Sequence, residues 1–145
     1  MTASAALRRS EKSPSIEKLF EAAKAASNNA YAKYSKFRVG AALVSASGQI
    51  YSGCNVENVA YPLGTCAEEA AIAAARTAEG NALRAVEIAI YASLDGEGHV
   101  PCTPCGGCRQ RIFELGPSVT VHFFGRSLRR QSCSANELLP LAFKF

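Results

Sequence analysis

Three cysteines recur at every third position in the stretch VPCTPCGGCRQR, namely Cys102, Cys105 and Cys108, with a proline directly before the first two. Thiolates at this spacing are donors for zinc, and two overlapping Pro-Cys-x-x-Cys pairs are possible: Cys102 with Cys105, or Cys105 with Cys108. A metal site built on either pair leaves one cysteine surplus. A further thiol, Cys66, stands at the front of the run CAEEAAIAAARTAEG, with a carboxylate, Glu68, two residues on. Three cysteine ligands with a fourth position left to water describe a catalytic zinc rather than a closed structural one. In such a site the neighbouring carboxylate has protons to move.

These thiols need elements that aim them at one point. The run after Cys66 is rich in alanine with Gly80 beyond its end, which predicts a closely packed helix and its cap. CGGCRQRIFELG predicts a second helix, closed by Gly116. Both helices thus begin at cysteines, where unpaired N–H groups and the positive dipole end favour thiolate. Ahead of them, apolar residues at Ile16, Leu19, Phe20, Ala23, Ala26 and Ala30 predict a helix starting from Ser13, with Pro14 in its first turn. VGAALVSASGQIYSGCNVEN predicts two strands joined at Ser47-Gly48-Gln49, the first covered on both faces. AVEIAIYAS and SVTVHFF predict further strands, and ANELLPLAF a short helical end. Strands alternating with helices, after an antiparallel hairpin, make an α/β layered fold.

At 145 residues, 48% of them apolar, the chain is sized for one domain with its own core. Residues 1–14 are expected to form a flexible tail and residues 15–145 the domain. Neither a secretory signal nor a run long enough to span a membrane is present, so the protein is expected in the cytoplasm. Six cysteines there favour thiolate chemistry over disulfides. The net charge of +4 is modest. Its densest part, Arg126, Arg129 and Arg130, lacks interleaved aromatics and predicts a solvated loop, so neither nucleic acid nor membrane is an expected partner.

Cys-x-Glu followed by Pro-Cys-x-x-Cys is the three-cysteine form of the zinc deaminase signature. Beyond it, FRVGAAL, GCNVENVAYPLGTCAEEAAI, TPCGGCRQ and ELLPLAF resemble, in order, the successive motifs of the homotetrameric cytidine deaminases, over nearly all of the chain from about Ser15. The resemblance implies a three-layer α/β/α sandwich with a mixed five-stranded sheet. It implies Zn²⁺ held by Cys66, Cys105 and Cys108, leaving Cys102 surplus. Glu68 would carry protons from water to the ring N3 of a cytosine nucleoside and then towards the departing ammonia, a reaction of pyrimidine salvage. Asn55 and Glu57 resemble the pair that bonds the ribose hydroxyls, Phe37 the aromatic that packs on the pyrimidine, and the Ala67 N–H the donor to the base's O2. Tyr61 and Phe143 resemble residues that reach a neighbouring subunit's pocket, which implies a homo-oligomer, a tetramer with shared active sites. Two positions depart from the pattern. Glu69 stands where family members commonly carry an arginine that offsets the thiolate charge, with helix dipoles, then Arg109 or another arginine, as substitutes. Arg38 stands where Pro or Lys is usual.

The other chemistry-bearing residues have plainer readings. Cys54 and His122 lie in alternating strands and are expected inside. Cys133 is expected as a free thiol in a polar loop, His99 in a solvated loop, and Tyr31 and Tyr34 packed at the end of the first helix. Two rival functions remain at this level: a deaminase of a modified cytosine nucleoside such as blasticidin S, and a non-catalytic zinc interaction module. The module would need a fourth protein ligand.

Overall fold

The computed structural model describes residues 13–145, so the expected tail over residues 1–14 lies, apart from Ser13 and Pro14, outside the described residues. The first helix, α1 (Ile16–Ser27), is capped by Ser15, whose hydroxyl accepts from the Lys18 N–H at 3.3 Å. The start therefore falls two residues later than Ser13, and Pro14 precedes the cap. Extended backbone at Ser15 lets its side chain reach back over the first turn, which the prolyl residue cannot do. At the other end the helix stops at Ser27, so Ala30 is buried in the segment that follows rather than on the helix face. Tyr31 and Tyr34 lie beyond it too, 48% and 41% exposed, so packing against α1 does not account for them.

Strands β1 (Phe37–Ser45) and β2 (Ile50–Cys54) form the antiparallel hairpin, turning at Gly48 with φ 85°. After helix α2 (Ala67–Glu79), strand β3 (Ala85–Leu94) pairs antiparallel with the free side of β1. A two-residue strand, β4 (Gly98–His99), folds back on the end of β3. Helix α3 (Gly106–Leu115) crosses over to β5 (Thr120–Phe124), which lies parallel to β3. Crossing over through a helix is what a parallel neighbour requires. Strand β6 (Arg130–Ser134) and helix α4 (Ala135–Leu138) finish the regular structure. The sheet runs β2-β1-β3-β5-β6, a mixed path of five strands, with β4 as a short sixth beside β3.

Arg126 and Arg129 lie in an exposed turn, as expected, but Arg130 opens a strand, β6. It is an edge strand with its first three residues exposed, so it carries none of the apolar alternation that marks a covered strand. Arg130 pairs with Glu17 of α1 at 2.9 Å and stacks over the Phe20 ring at 4.8 Å, while Cys133 packs half-buried against the core.

Because successive strand residues point to opposite faces, β1 divides its side chains between two cores. Val39, Ala41 and Leu43 join Ile88, Ile90, Val121 and Phe123 under α2 and α3, while Ala42 and Val44 meet Leu19, Phe20 and Ala23 of α1. Two glycines set how near the helices come. A Cβ at Gly40 would stand 1.8 Å from the Ala23 carbonyl oxygen of α1, and one at Gly53 would stand 2.4 Å from the Ala71 nitrogen of α2. The alanine-rich face of α2 thus rests directly on β2 backbone. On the α1 side, His122 is buried at 5% exposure: its Nε2 lies 3.0 Å from Glu87 and its Nδ1 2.7 Å from the Ser132 hydroxyl. His99 also faces this side, stacked on Tyr91 at 4.6 Å and edge-on to Phe124, so it sits between rings rather than in a solvated loop.

Candidate active site at two helix N-termini

Cys66 is the N-cap of α2 and Cys105 the N-cap of α3, both in extended backbone and neither capping with its side chain. A thiol is a weak acceptor, so the first-turn N–H groups act on these sulfurs chiefly through the positive end of the helix dipole. Buried Pro104 holds the chain extended ahead of Cys105. Three residues on, Cys108 lies on the same face of α3, fully buried. The three Sγ atoms fall within 4.8 Å of one another, and those of Cys66 and Cys105 are 3.9 Å apart. Thiolates about 2.3 Å from a tetrahedral zinc stand about 3.8 Å from each other, so this trio fits that ion. Among the described residues it is a three-donor group.

Cys102 stands outside the trio. Its backbone N–H pairs with the Phe124 carbonyl at 3.0 Å, its sulfur lies 3.8 Å from the Thr103 carbonyl, and burial pushes its thiol up to about 12. Of the two overlapping cysteine pairs, the structure therefore brings the second, Cys105 with Cys108, to Cys66.

The electrostatics of the trio call for a cation. Burial, then the charge of Cys105, raises the Cys66 thiol; burial, then the charges of Glu68, Cys66 and Cys105, raises Cys108. Burial also opposes ionisation of Cys105, but hydrogen bonds from the Cys108 N–H and from the Cys108 and Cys66 thiols outweigh it and hold that thiol below its ordinary range. One thiolate is favoured and the other two resist it, so joint ionisation needs a divalent ion at their centre.

Glu68, second residue of α2, is 4% exposed, and burial raises its carboxyl above the usual range against hydrogen bonds from its own backbone and Cys108 and the charge of Arg111. Beside it opens a cavity of about 300 Å³, at the small end for ligand sites, lined among others by Phe37, Asn55, Glu57, Ala67 and the sulfurs' own residues Cys66 and Cys105. Ala67 is the first residue of α2, so its N–H has no acceptor within the helix. The Asn55 amide is set by β1: its Oδ1 accepts from the Val39 N–H at 2.8 Å and its Nδ2 donates to the Phe37 carbonyl at 2.9 Å. Glu57 accepts from the Tyr34 N–H at 2.7 Å and from the Ser35 N–H and hydroxyl, and the Ser35 bond chiefly holds its carboxyl below the usual range. The Ser35 hydroxyl in turn accepts from the Phe37 N–H at 3.0 Å. Both polar residues thus also fix the aromatic at the cavity wall.

Tyr61 and Phe143 do not reach the cavity of their own chain. Tyr61, 78% exposed, lines a neighbouring depression with Tyr34 and Glu57, and Phe143 is 73% exposed. Val39, Val56, Thr65 and Thr103 line the cavity without having been singled out in the sequence. Thr65 and Thr103 each lie within two residues of a metal-site cysteine, the signal that was there to use. As for charge, Arg109 donates to the carbonyls of Pro104 at 2.9 Å and Leu138 at 3.1 Å, so its guanidinium ties backbone together. Glu69 pairs across the helices with Arg111 at 3.3 Å, and Arg111 lies against Gly107, in the first turn of α3.

Residues 13–124 match the family model described as the cytidine and deoxycytidylate deaminase zinc-binding region. The chain is 40% identical to the cytidine deaminase of Sporosarcina psychrophila over 129 residues, 88% of this chain and 90% of that one. It is 45% identical to the cytidine deaminase of Mycobacterium tuberculosis over 118 residues, 81% of each. Among solved structures, the cytidine deaminase of Burkholderia pseudomallei superposes with a TM-score of 0.77 at 42% identity, covering 90% of this chain and 100% of that one.

Proposed function

The chain belongs to the cytidine and deoxycytidylate deaminase zinc-binding family, and from that premise we propose that it hydrolyses cytidine and 2′-deoxycytidine to the corresponding uridines and ammonia. Water supplies the oxygen that bonds to C4, and the bond from C4 to the exocyclic nitrogen breaks. The observation that carries this reading is a buried carboxylate, Glu68, opening on a small cavity two residues after a cysteine of the three-thiol cluster.

Cys66, Cys105 and Cys108 would hold the zinc, and its Lewis acidity would make water nucleophilic near neutral pH. Glu68 accepts one proton from water and passes it to ring N3, then takes the second from the hydroxyl added at C4 and gives it to the leaving amine. A carboxyl whose proton affinity is raised by burial is suited to hold a proton between transfers. The Ala67 N–H donates to O2 of the base, Phe37 packs against the ring, and Asn55 and Glu57 receive the ribose hydroxyls. Tyr61 and Phe143 project into the site of an adjoining copy, and their exposure in the single chain supports that role. Residues 15–145 form one domain, the assembly is a homotetramer, and the enzyme serves nucleoside salvage in the cytoplasm. Among the described residues no helix is long and apolar enough to cross a membrane.

Ammonia release from cytidine by the purified protein tests the reading. Turnover that disappears with a strong chelator and returns with zinc is the expected result. A protein fully loaded with zinc that releases no ammonia from either nucleoside would sink it.

A further inference from the structure

We propose that Gln110 is a positioning residue for the C-terminal aromatic Phe143; this rests on the reading above, in which Phe143 serves a neighbouring copy's site. The Gln110 amide bonds the Phe143 backbone on both sides. Its Nε2 donates to the Phe143 carbonyl at 3.0 Å, and its Oε1 accepts from the Phe143 N–H at 3.2 Å. This is the pair of bonds an adjacent strand would make, so it fixes both the position of Phe143 along the chain and the direction its side chain takes. That side chain is 73% exposed, and Leu141 before it is 96% exposed. The bonds thus hold an apolar group out in solvent, an arrangement that gains nothing for the isolated chain and suits a second copy of this chain as the receiver.

The place of Gln110 on α3 is informative. Cys108, Arg109 and Gln110 are consecutive, so their side chains leave the helix at successive steps of about 100°. Cys108 points into the thiol cluster, Arg109 to the carbonyls of Pro104 and Leu138, and Gln110 to the terminal segment. One helix turn therefore holds a metal donor, the end of α4 and the projecting aromatic in a fixed mutual relation. The reach of Phe143 is set by the same element that sets two of the three thiols, Cys105 and Cys108.

Gln110→Met, which keeps length and removes both bonds, is compared with Phe143→Ala and the double variant in the zinc-loaded protein. Each is measured for KM and kcat on cytidine, zinc content, assembly state by sedimentation, and hydrogen exchange of the Phe143 amide. Phe143→Ala is expected to raise KM several-fold, and Gln110→Met to raise it in the same direction with zinc and assembly retained. The double variant should be no worse than Phe143→Ala, because the two changes remove one interaction. Exchange at Phe143 should quicken about tenfold in Gln110→Met, the scale of losing a pair of modest hydrogen bonds. If Phe143→Ala raises KM while Gln110→Met does not, the role of Gln110 is overturned and the reading of Phe143 stands. If Phe143→Ala leaves KM unchanged, the reading itself fails and the proposal with it. Zinc loss in Gln110→Met would make the residue a part of the metal helix's folding and overturn its positioning role.

Discussion

Two glutamates are buried on opposite faces of one sheet, and their surroundings differ in a way that separates chemistry from architecture. Glu87, 7% exposed on β3, meets buried His122 at 3.0 Å, and His122 meets the hydroxyl of Ser132, on the exposed start of β6, at 2.7 Å, so carboxylate and imidazole are each held by other side chains. Glu68, 4% exposed, instead lies between three thiols and an open cavity. Both are costly to bury. The first cost is met by a neighbouring imidazole, and the second falls on a carboxyl held by its own helix turn and Cys108 beside a cavity. A buried carboxylate answered by another side chain holds a fold together, whereas one facing a cavity is available to a ligand.

Breaking the open cluster should give the largest effects. Cys108→Ser is expected to abolish both zinc binding and turnover, while Cys102→Ser retains both; metal analysis beside an ammonia assay distinguishes them, and zinc lost from Cys102→Ser would reverse the assignment. Next, Glu68→Gln should keep its zinc and its thermal midpoint but lose about 10²- to 10⁴-fold in kcat, the usual contribution of a positioned proton carrier. The Glu87–His122 pair should respond the other way. Glu87→Ala leaves buried His122 without its carboxylate and should cost about 1–3 kcal/mol in urea unfolding, with kcat per folded molecule unchanged.

A third carboxylate sharpens the contrast at smaller scale. Glu79, at the far end of α2, accepts from the hydroxyls of Ser45 at 2.6 Å, Ser47 at 2.7 Å and Tyr51 at 2.9 Å, and the serine bonds chiefly lower its carboxyl below the usual range. Its contribution to stability is therefore present above the unfolded-state carboxylate pKa and fades as pH falls through the lower folded value. The urea midpoint of Glu79→Gln should drop less on acidification than that of the wild type. Equal slopes would show that the hydroxyls do not favour the charged form.

Much of this was legible in the sequence because it rests on local rules. A cysteine before an alanine-rich run, and another after a proline, mark helix starts without reference to distant residues, and β1 announces itself by unbroken apolar character. What escaped depends on contacts between remote segments. β6 reads as a loop because an edge strand buries little, and its one arginine, Arg130, finds Glu17 and Phe20 more than a hundred positions earlier in the chain. Spacing alone leaves open which cysteine of three is surplus; the resemblance names Cys102, and the structure draws that residue aside through its bond to Phe124 of β5. The tie from Gln110 to Phe143 spans the whole C-terminal region, and a glutamine on a helix carries no pattern that foretells it. Ser15 rather than Ser13 caps α1 because side-chain reach, and not residue type alone, selects between neighbouring serines.

The contact of α2 with β2 at Gly53 bears on all of this. The Ala67 carbonyl oxygen lies 2.8 Å, and the Ala70 Cβ 2.6 Å, from where a methyl there would stand. Any larger residue would act as a wedge under the leading turn of α2, tipping it away from the sheet while its trailing end stayed seated. Cys66 and Glu68 ride on that leading turn and Cys105 and Cys108 do not, so the tilt would shear the two halves of the cluster apart. A hydrogen atom on a strand with no chemistry of its own therefore serves as the gauge block against which the catalytic parts are aligned.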